Sequence, residues 1–162
     1  MRFAEWIETV PESIQEDTLW KMKVYRYALF AADVAWDDVN KLAKDTRTRS
    51  LADQLYRSVG SVSANIAEGY SRSSSKDRAR FYEYALGSAR ESRDWYYKAR
   101  HTLGREIVEQ RLELYKAIVQ LLLTMIPQQR RSTQTLREPG PVYHISSPED
   151  DFSTLEDMTF DA

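Results

Sequence analysis

The sequence of 162 residues has no cysteine, only five glycines, five prolines and two histidines. Without cysteine, disulfides, thiolate metal sites and cysteine nucleophiles are excluded. So few turn-forming residues argue against an all-β sandwich or barrel, which needs a turn about every 8–12 residues. The sequence also lacks a long apolar run and a basic, apolar leader. We therefore expect neither a transmembrane span nor a signal peptide, and a cytoplasmic location.

Charge is distributed unevenly along the chain. Residues 1–19 carry one basic and five acidic side chains, residues 20–130 carry 20 basic and 13 acidic ones, and residues 131–162 carry two basic and seven acidic ones. The net charge of −2 thus hides a basic body between acidic ends. Such a body is suited to nucleic acid, although solvated helix faces also carry many arginines and lysines.

Apolar residues recur every three or four positions over four segments, which indicates amphipathic helices. The pattern predicts helices at about 20–44, 51–68, 76–103 and 105–126, with Gly69, Gly104 and Pro127 ending the last three. A serine of the loop at 71–75 is expected to cap the third helix. Because the links are short, the sequence predicts an all-α, antiparallel up-down-up-down four-helix bundle over residues 20–128.

The ends of the chain differ in composition from this body. Residues 1–19 are predicted to form an acidic N-terminal arm. Residues 129–162, rich in acids and broken by prolines, are predicted to form a flexible, disordered acidic tail. Phe152, Leu155 and Met158 lie three positions apart among the acids, so the tail contains either a short docking motif or only solvated chain.

The third helix has more aromatic surface than one bundle core can bury. Tyr82, Trp95 and Tyr96 are therefore candidates for an oligomer interface, which we favour over a ligand surface. The second helix contains a run of small residues over 60–67, and the third offers Gly87 and neighbouring alanines. Small side chains let helix axes approach closely, so these two helices are expected to pack tightly.

Enzyme signatures are missing. A di-metal carboxylate site in a bundle needs Glu-x-x-His, but Lys98 precedes His101 and Pro141 precedes His144 by three positions. No glycine-rich phosphate loop or nucleophile elbow occurs. His101 could serve a nuclease, but near a helix C-terminus it more simply complements the helix dipole. We expect no catalytic residues, no metal and no cofactor.

A cationic, aromatic surface remains. The candidate nucleic-acid contacts are basic residues of the loop and third helix: Arg72, Lys76, Arg78, Arg80, Arg93 and Arg100. Arginine forks suit phosphate, and the interleaved aromatic rings suit stacking on exposed bases. Acidic residues lie among them, so part of this pattern could be ion pairing along a solvated helix.

Two motifs carry a family resemblance. The segment from Gln54 to Gly69 reads QLYRSVGSVSANIAEG, and the segment from Phe81 to Glu91 reads FYEYALGSARE. Both resemble the signatures of the four helix bundle protein family, named for proteins encoded in intervening sequences of bacterial 23S rRNA genes. Ser58 and Val62 replace the alanine and isoleucine usual in that family. The resemblance covers about residues 22–126.

The resemblance implies a bundle that assembles into rings, often pentamers. Relatives include accessory proteins of diversity-generating retroelements, in which a basic pentamer partners a reverse transcriptase and binds nucleic acid. It supplies no catalytic residues, and within its motifs Asn65, Glu68, Gly69 and Gly87 are interpreted as structural. We therefore expect a non-enzymatic homo-oligomer that binds structured RNA or a nucleic-acid-processing partner. The alternative is a protein-interaction scaffold with no nucleic-acid role.

Overall fold

The structure, a computed structural model, describes residues 1–131 and 158–160. Over these residues it is all-α, as predicted, with no strand beyond one isolated bridge. Its helices are α1 (Phe3–Thr9), α2 (Glu12–Gln15), a 3₁₀ turn (Thr18–Lys21), α3 (Lys23–Lys44), α4 (Arg49–Tyr70), α5 (Ser75–Leu103) and α6 (Arg105–Arg131). The four long helices are those that the periodicity predicts.

The four long helices pack mainly against their neighbours in sequence. The contacts between α3 and α4, between α4 and α5, and between α5 and α6 are extensive, whereas α3 and α6 meet more sparsely. The up-down-up-down order stays a prediction. The disordered tail predicted over 129–162 is wrong at 129–131, which belong to α6, and at 158–160, where the Phe160 side chain is buried. Its remaining residues, 132–157 with 161 and 162, lie outside the described residues.

Local sequence explains where α5 begins and ends. The Ser74 side chain accepts a hydrogen bond from the Asp77 backbone N–H at 3.1 Å, the capping role predicted for this serine loop. At the other end Gly104 has a φ of +90°, a conformation that favours glycine, and its N–H donates to the Arg100 carbonyl. Both predicted boundaries of α5 are confirmed to within one residue.

Two predicted helix ends are wrong. Gly69 does not stop α4, which continues to Tyr70, and Pro127 does not stop α6, which continues to Arg131. Proline removes one backbone donor, so the carbonyl of Leu123 loses its helical partner. Leu123 is exposed, so water can satisfy that carbonyl. The loss is tolerated, and α6 extends past the predicted boundary at 128.

The N-terminal residues are not a separate acidic arm. Phe3 and Trp6 of α1 are 5% and 2% exposed and pack on the Phe30 ring of α3, each with a centroid separation of 5.3 Å. The acidic residues of this segment lie on its outer side, Glu8, Glu12 and Glu16 among them. Net charge is therefore a poor guide here, because two large aromatic side chains are enough to hold the segment on the body.

The helices α4 and α5 approach closely through small residues. A Cβ atom at Gly69 would lie 2.8 Å from the Tyr82 ring and 3.0 Å from Phe81 Cβ. Further along the pair, the Ser92 and Ser58 hydroxyls hydrogen bond at 3.0 Å in the core. The close approach is thus at Gly69, just outside the 60–67 run from which tight packing is predicted, and neither Gly60 nor Gly87 takes part in it.

A buried ion pair joins α3 and α6. Arg111 is 1% exposed and Asp38 is completely buried, and the guanidinium contacts both carboxylate oxygens at 2.8 and 3.1 Å. The Tyr96 hydroxyl of α5 donates to the same carboxylate at 2.9 Å. Burial, followed by the charge of Asp38, raises the pKa of Tyr96 well above its usual value, so the hydroxyl stays protonated. The sequence analysis did not identify this network.

We predict opposite effects for two glycine-to-alanine substitutions in α4. Gly69→Ala should destabilise the fold by about 1–3 kcal/mol, because the new methyl group meets the Tyr82 ring. Gly60→Ala should stabilise it by about 0.5–1 kcal/mol, because no atom lies within 4 Å of the added Cβ and alanine favours a helix. Urea denaturation measures both, and equal effects would contradict the close approach at Gly69.

We predict that Asp38→Ala costs about 3–5 kcal/mol of unfolding free energy, because it leaves the Arg111 guanidinium buried without its counter-charge. The double variant Asp38→Leu with Arg111→Met should recover most of this loss. A double-mutant cycle by chemical denaturation gives the coupling. Additive losses would show that the two side chains do not interact.

Candidate nucleic-acid interface

Four of the predicted nucleic-acid contacts lie at one end of the molecule, where α4 gives way to α5. Arg72 is in the connecting loop, and Lys76, Arg78 and Arg80 are in the first two turns of α5. The loop is closed by the Ser74 cap and by Arg78, whose Nη2 donates to the Ser73 carbonyl at 3.2 Å. The cap starts α5 at Ser75, so Lys76, Arg78 and Arg80 lie within about 6 Å along the helix axis, directly after the loop that carries Arg72.

Aromatic rings hold two of these cations in place. The Arg80 guanidinium lies 5.5 Å from the Tyr84 ring centroid, and its Nε donates to the Tyr84 hydroxyl at 2.7 Å. That hydrogen bond raises the pKa of Arg80 further above neutrality. Arg72 lies 4.8 Å from the Phe81 ring centroid and pairs with Glu68. Because Tyr84 is 46% exposed, a planar group can still approach its ring.

A pocket of about 630 Å³ opens beside these residues. It is lined by parts of α5 and α6, namely Ser74, Lys76, Asp77, Ala79, Arg80, Glu83 and Arg130. Arg130 pairs with Glu83 across the two helices. The sequence analysis missed Arg130, because it ended α6 at Pro127. Two adjacent arginines, Arg130 and Arg131, are favourable at a helix C-terminus, and they indicate that α6 continues past Pro127.

We call Arg72, Lys76, Arg78, Arg80 and Arg130, with the rings of Phe81 and Tyr84, the basic end cluster. Among the residues described, Lys76, Arg78 and Arg80 have no ion pair to a carboxylate, whereas Arg72 and Arg130 are paired. Lys76 and Arg80 are exposed and line the pocket, so these two cations are available to an incoming anion. Arg78 is half-buried and lies on the other side of α5.

Arg93 and Arg100 do not belong to this cluster, and their role in nucleic-acid binding stays a prediction. Arg93 lies about 20 Å further along α5 than Arg80, beyond the reach of the cluster. Arg100 is half-buried, stacks 4.2 Å from the Tyr97 ring centroid and donates to the Tyr97 carbonyl at 2.7 Å. Sequence spacing alone places both outside the cluster.

Two of the three predicted oligomer residues are unsuited to an interface. Tyr82 and Tyr96 are 2% and 0% exposed within this chain, because their row on α5 is the one that faces the core. Trp95 is half-buried, and its Nε1 donates to Glu91 at 3.2 Å. Lys98 lies 4.3 Å from its ring centroid. Aromatic residues that do reach the surface include Trp36, Tyr56, Tyr84 and Tyr97.

The motif residues have different roles. Gly69 is needed for the contact with Tyr82. Asn65 donates to the Ser61 carbonyl at 2.7 Å within α4, and Glu68 holds Arg72 at the end of that helix. Gly87 is exposed, with no atom within 4 Å of an added Cβ, so a packing role for it within the chain is wrong. His101 is exposed in the last turn of α5.

Two features are absent from residues 1–131 and 158–160. No group of three or more histidine, aspartate or glutamate side chains is placed to hold a metal ion. No helix of this part of the chain combines the length and apolar character needed to cross a bilayer.

The fold and the cluster define a small all-α protein with an exposed basic, aromatic surface at one end. Residues 21–126 match the 23S rRNA-intervening sequence protein family, and the chain belongs to that family. It is also similar to a crystal structure from Bacteroides thetaiotaomicron VPI-5482, a protein of unknown function from the S23 ribosomal protein family. The identity is 26% and the TM-score 0.60, over 64% of this chain and 97% of that one. No curated protein matches the chain.

Proposed function

We propose that this protein is a cytoplasmic, non-enzymatic, homo-oligomeric four-helix bundle of up-down-up-down order that binds structured RNA through the basic end cluster. It acts as an accessory protein, on RNA directly or beside a nucleic-acid-processing partner. A pentamer is the proposed assembly, as the family resemblance implies.

One observation carries the RNA proposal: at one end of the molecule, cations with no carboxylate partner among the described residues lie beside the exposed ring of Tyr84. Lys76 and Arg80 line the pocket, and Arg80 is fixed in direction by Tyr84. A guanidinium held this way loses little side-chain entropy when it contacts a phosphate. The open ring of Tyr84 can stack on an unpaired base. The name of the family, which refers to 23S rRNA, supports RNA as the partner.

Acidic residues beside the basic end cluster lower its positive charge. Glu68 and Glu83 neutralise Arg72 and Arg130, so the surface is only moderately positive. Such a surface favours a folded RNA with phosphates and unstacked bases at fixed positions over nonspecific attraction to any duplex. Few phosphate contacts also imply a shallow dependence of affinity on salt.

We predict that Lys76→Glu with Arg80→Glu weakens binding of a labelled structured RNA at least about tenfold at 150 mM salt, because two phosphate contacts become repulsive. The slope of log affinity against log salt should also fall by about two. Fluorescence anisotropy measures both quantities on the full chain.

Lys44→Glu with Arg49→Glu is the matched control, since it reverses two charges at exposed residues that end α3 and begin α4, and Arg49 lies about 30 Å from the cluster. It should leave RNA affinity within about twofold. Equal losses of RNA affinity in the two variants would show that binding depends on net charge and not on the basic end cluster. No binding by the wild-type chain in the low-micromolar range would reject the RNA proposal.

The second candidate function is a protein-interaction scaffold, and a second surface supports it. Trp36 of α3 and Tyr56 of α4 are 56% and 49% exposed, with ring centroids 6.0 Å apart. Adjacent exposed aromatic rings are frequent anchors of protein interfaces. Under this alternative, partner capture survives the Lys76 and Arg80 substitutions and is lost in Trp36→Ala.

A further inference from the structure

The described C-terminal residues contact the body through one aromatic side chain. Phe160 is 3% exposed, and its ring lies edge-on to that of Phe30 at a centroid separation of 5.0 Å. The Arg111 guanidinium lies 5.9 Å from the Phe160 ring centroid. Met158 packs partly buried against the same hydrophobic cluster. The ring thus covers the end of the buried ion pair.

The backbone of Phe160 is hydrogen bonded to the N-terminal residues of the chain. Its N–H donates to the Met1 carbonyl at 3.0 Å, and the Met1 nitrogen donates to its carbonyl at 2.7 Å. Thr159 forms an antiparallel bridge with Arg2. An extended segment that adds backbone hydrogen bonds to an edge and inserts a side chain into a pocket is a common mode of peptide recognition. We call this place, formed by Met1, Arg2, Phe30 and Arg111, the Phe160 site.

The contact made by Met158–Phe160 is small compared with the length of the connection between α6 and these residues. Three residues make it, and residues 132–157 separate them from the end of α6. Burying one phenyl ring and forming a few hydrogen bonds gains free energy of the same order as the entropy lost in ordering three residues and closing that connection. Release of the segment therefore costs much less than unfolding the bundle.

We propose that the Phe160 site is a peptide-docking site for an extended segment with a phenylalanine, and that Met158–Phe160 of the same chain occupy it reversibly. Release would expose the Phe30 ring and open the Arg111–Asp38 pair to solvent. The proposal stands apart from RNA binding, because the Phe160 site and the basic end cluster share no residue.

The test uses a fluorescent peptide of residues 155–162 and the full-length Phe160→Ala variant, whose own segment binds weakly. The peptide should bind this variant at least about tenfold more tightly than it binds the wild-type chain, in which the site is filled. A peptide with alanine in place of its phenylalanine should not bind. Tyr97→Ala, which removes an exposed ring elsewhere, should behave like the wild type.

A folded Phe160→Ala variant that fails to bind the peptide, or binds the alanine peptide equally well, would overturn the proposal. Amide hydrogen exchange of the wild-type chain tests it without any variant. The Phe160 N–H should exchange at least about 100-fold faster than the core amides of α3 and α6, through local release. Exchange at the rate of those core amides would show that the segment is a fixed part of the fold.

Discussion

The ion pair between Asp38 and Arg111 is the constraint on which the arrangement of the long helices depends. An isolated charge in a protein interior is so costly that it is tolerated only with its partner at hydrogen-bonding distance. Asp38 belongs to α3, Arg111 to α6 and Tyr96 to α5, so one carboxylate is shared by three helices. Apolar rows specify the register between two helices only weakly. The Asp38, Tyr96 and Arg111 side chains meet in only one register of α3, α5 and α6. The fourth long helix, α4, is placed differently, through the close approach of Gly69 to Tyr82.

The sequence predicted the helices well, because each carries an apolar row of the right period and short polar links separate them. Capping at Ser74 and the end at Gly104 followed from local chemistry alone. The failures have physical causes as well. Pro127 predicts a stop, but the loss of one backbone donor opposite the exposed residue Leu123 does not end α6. The charge of the N-terminal residues predicts a separate arm, but the burial of Phe3 and Trp6 decides where these residues lie.

The buried ion pair left a signal in the sequence that was overlooked. Arg111 lies in the apolar row of α6 between Ile107 and Leu114, and Asp38 lies in that of α3 between Val34 and Leu42. One charged residue of each sign inside two apolar rows indicates a buried pair, because neither is tolerated there alone. Which helices bring them together is a tertiary property, and so is the burial of Phe160. No spacing rule could place Phe160 beside Arg111, since the two are far apart in sequence.

The candidate RNA surface inherits its geometry from this core. Lys76, Arg80 and Tyr84 follow from the sequence of α5 alone, but Arg130 reaches them only if α6 has the correct register against α5. A slip of α6 by one residue would rotate Arg130 by about 100° and shift it by about 1.5 Å, breaking its pair with Glu83. The Arg111 contact with Asp38, about 28 Å away along α6, prevents that slip. α6 is one helix of 27 residues that continues through Pro127, so it carries this position from Arg111 to Arg130. The buried charges thus position the exposed ones, which is why the basic end cluster is a property of the fold and not of the loop that carries most of it.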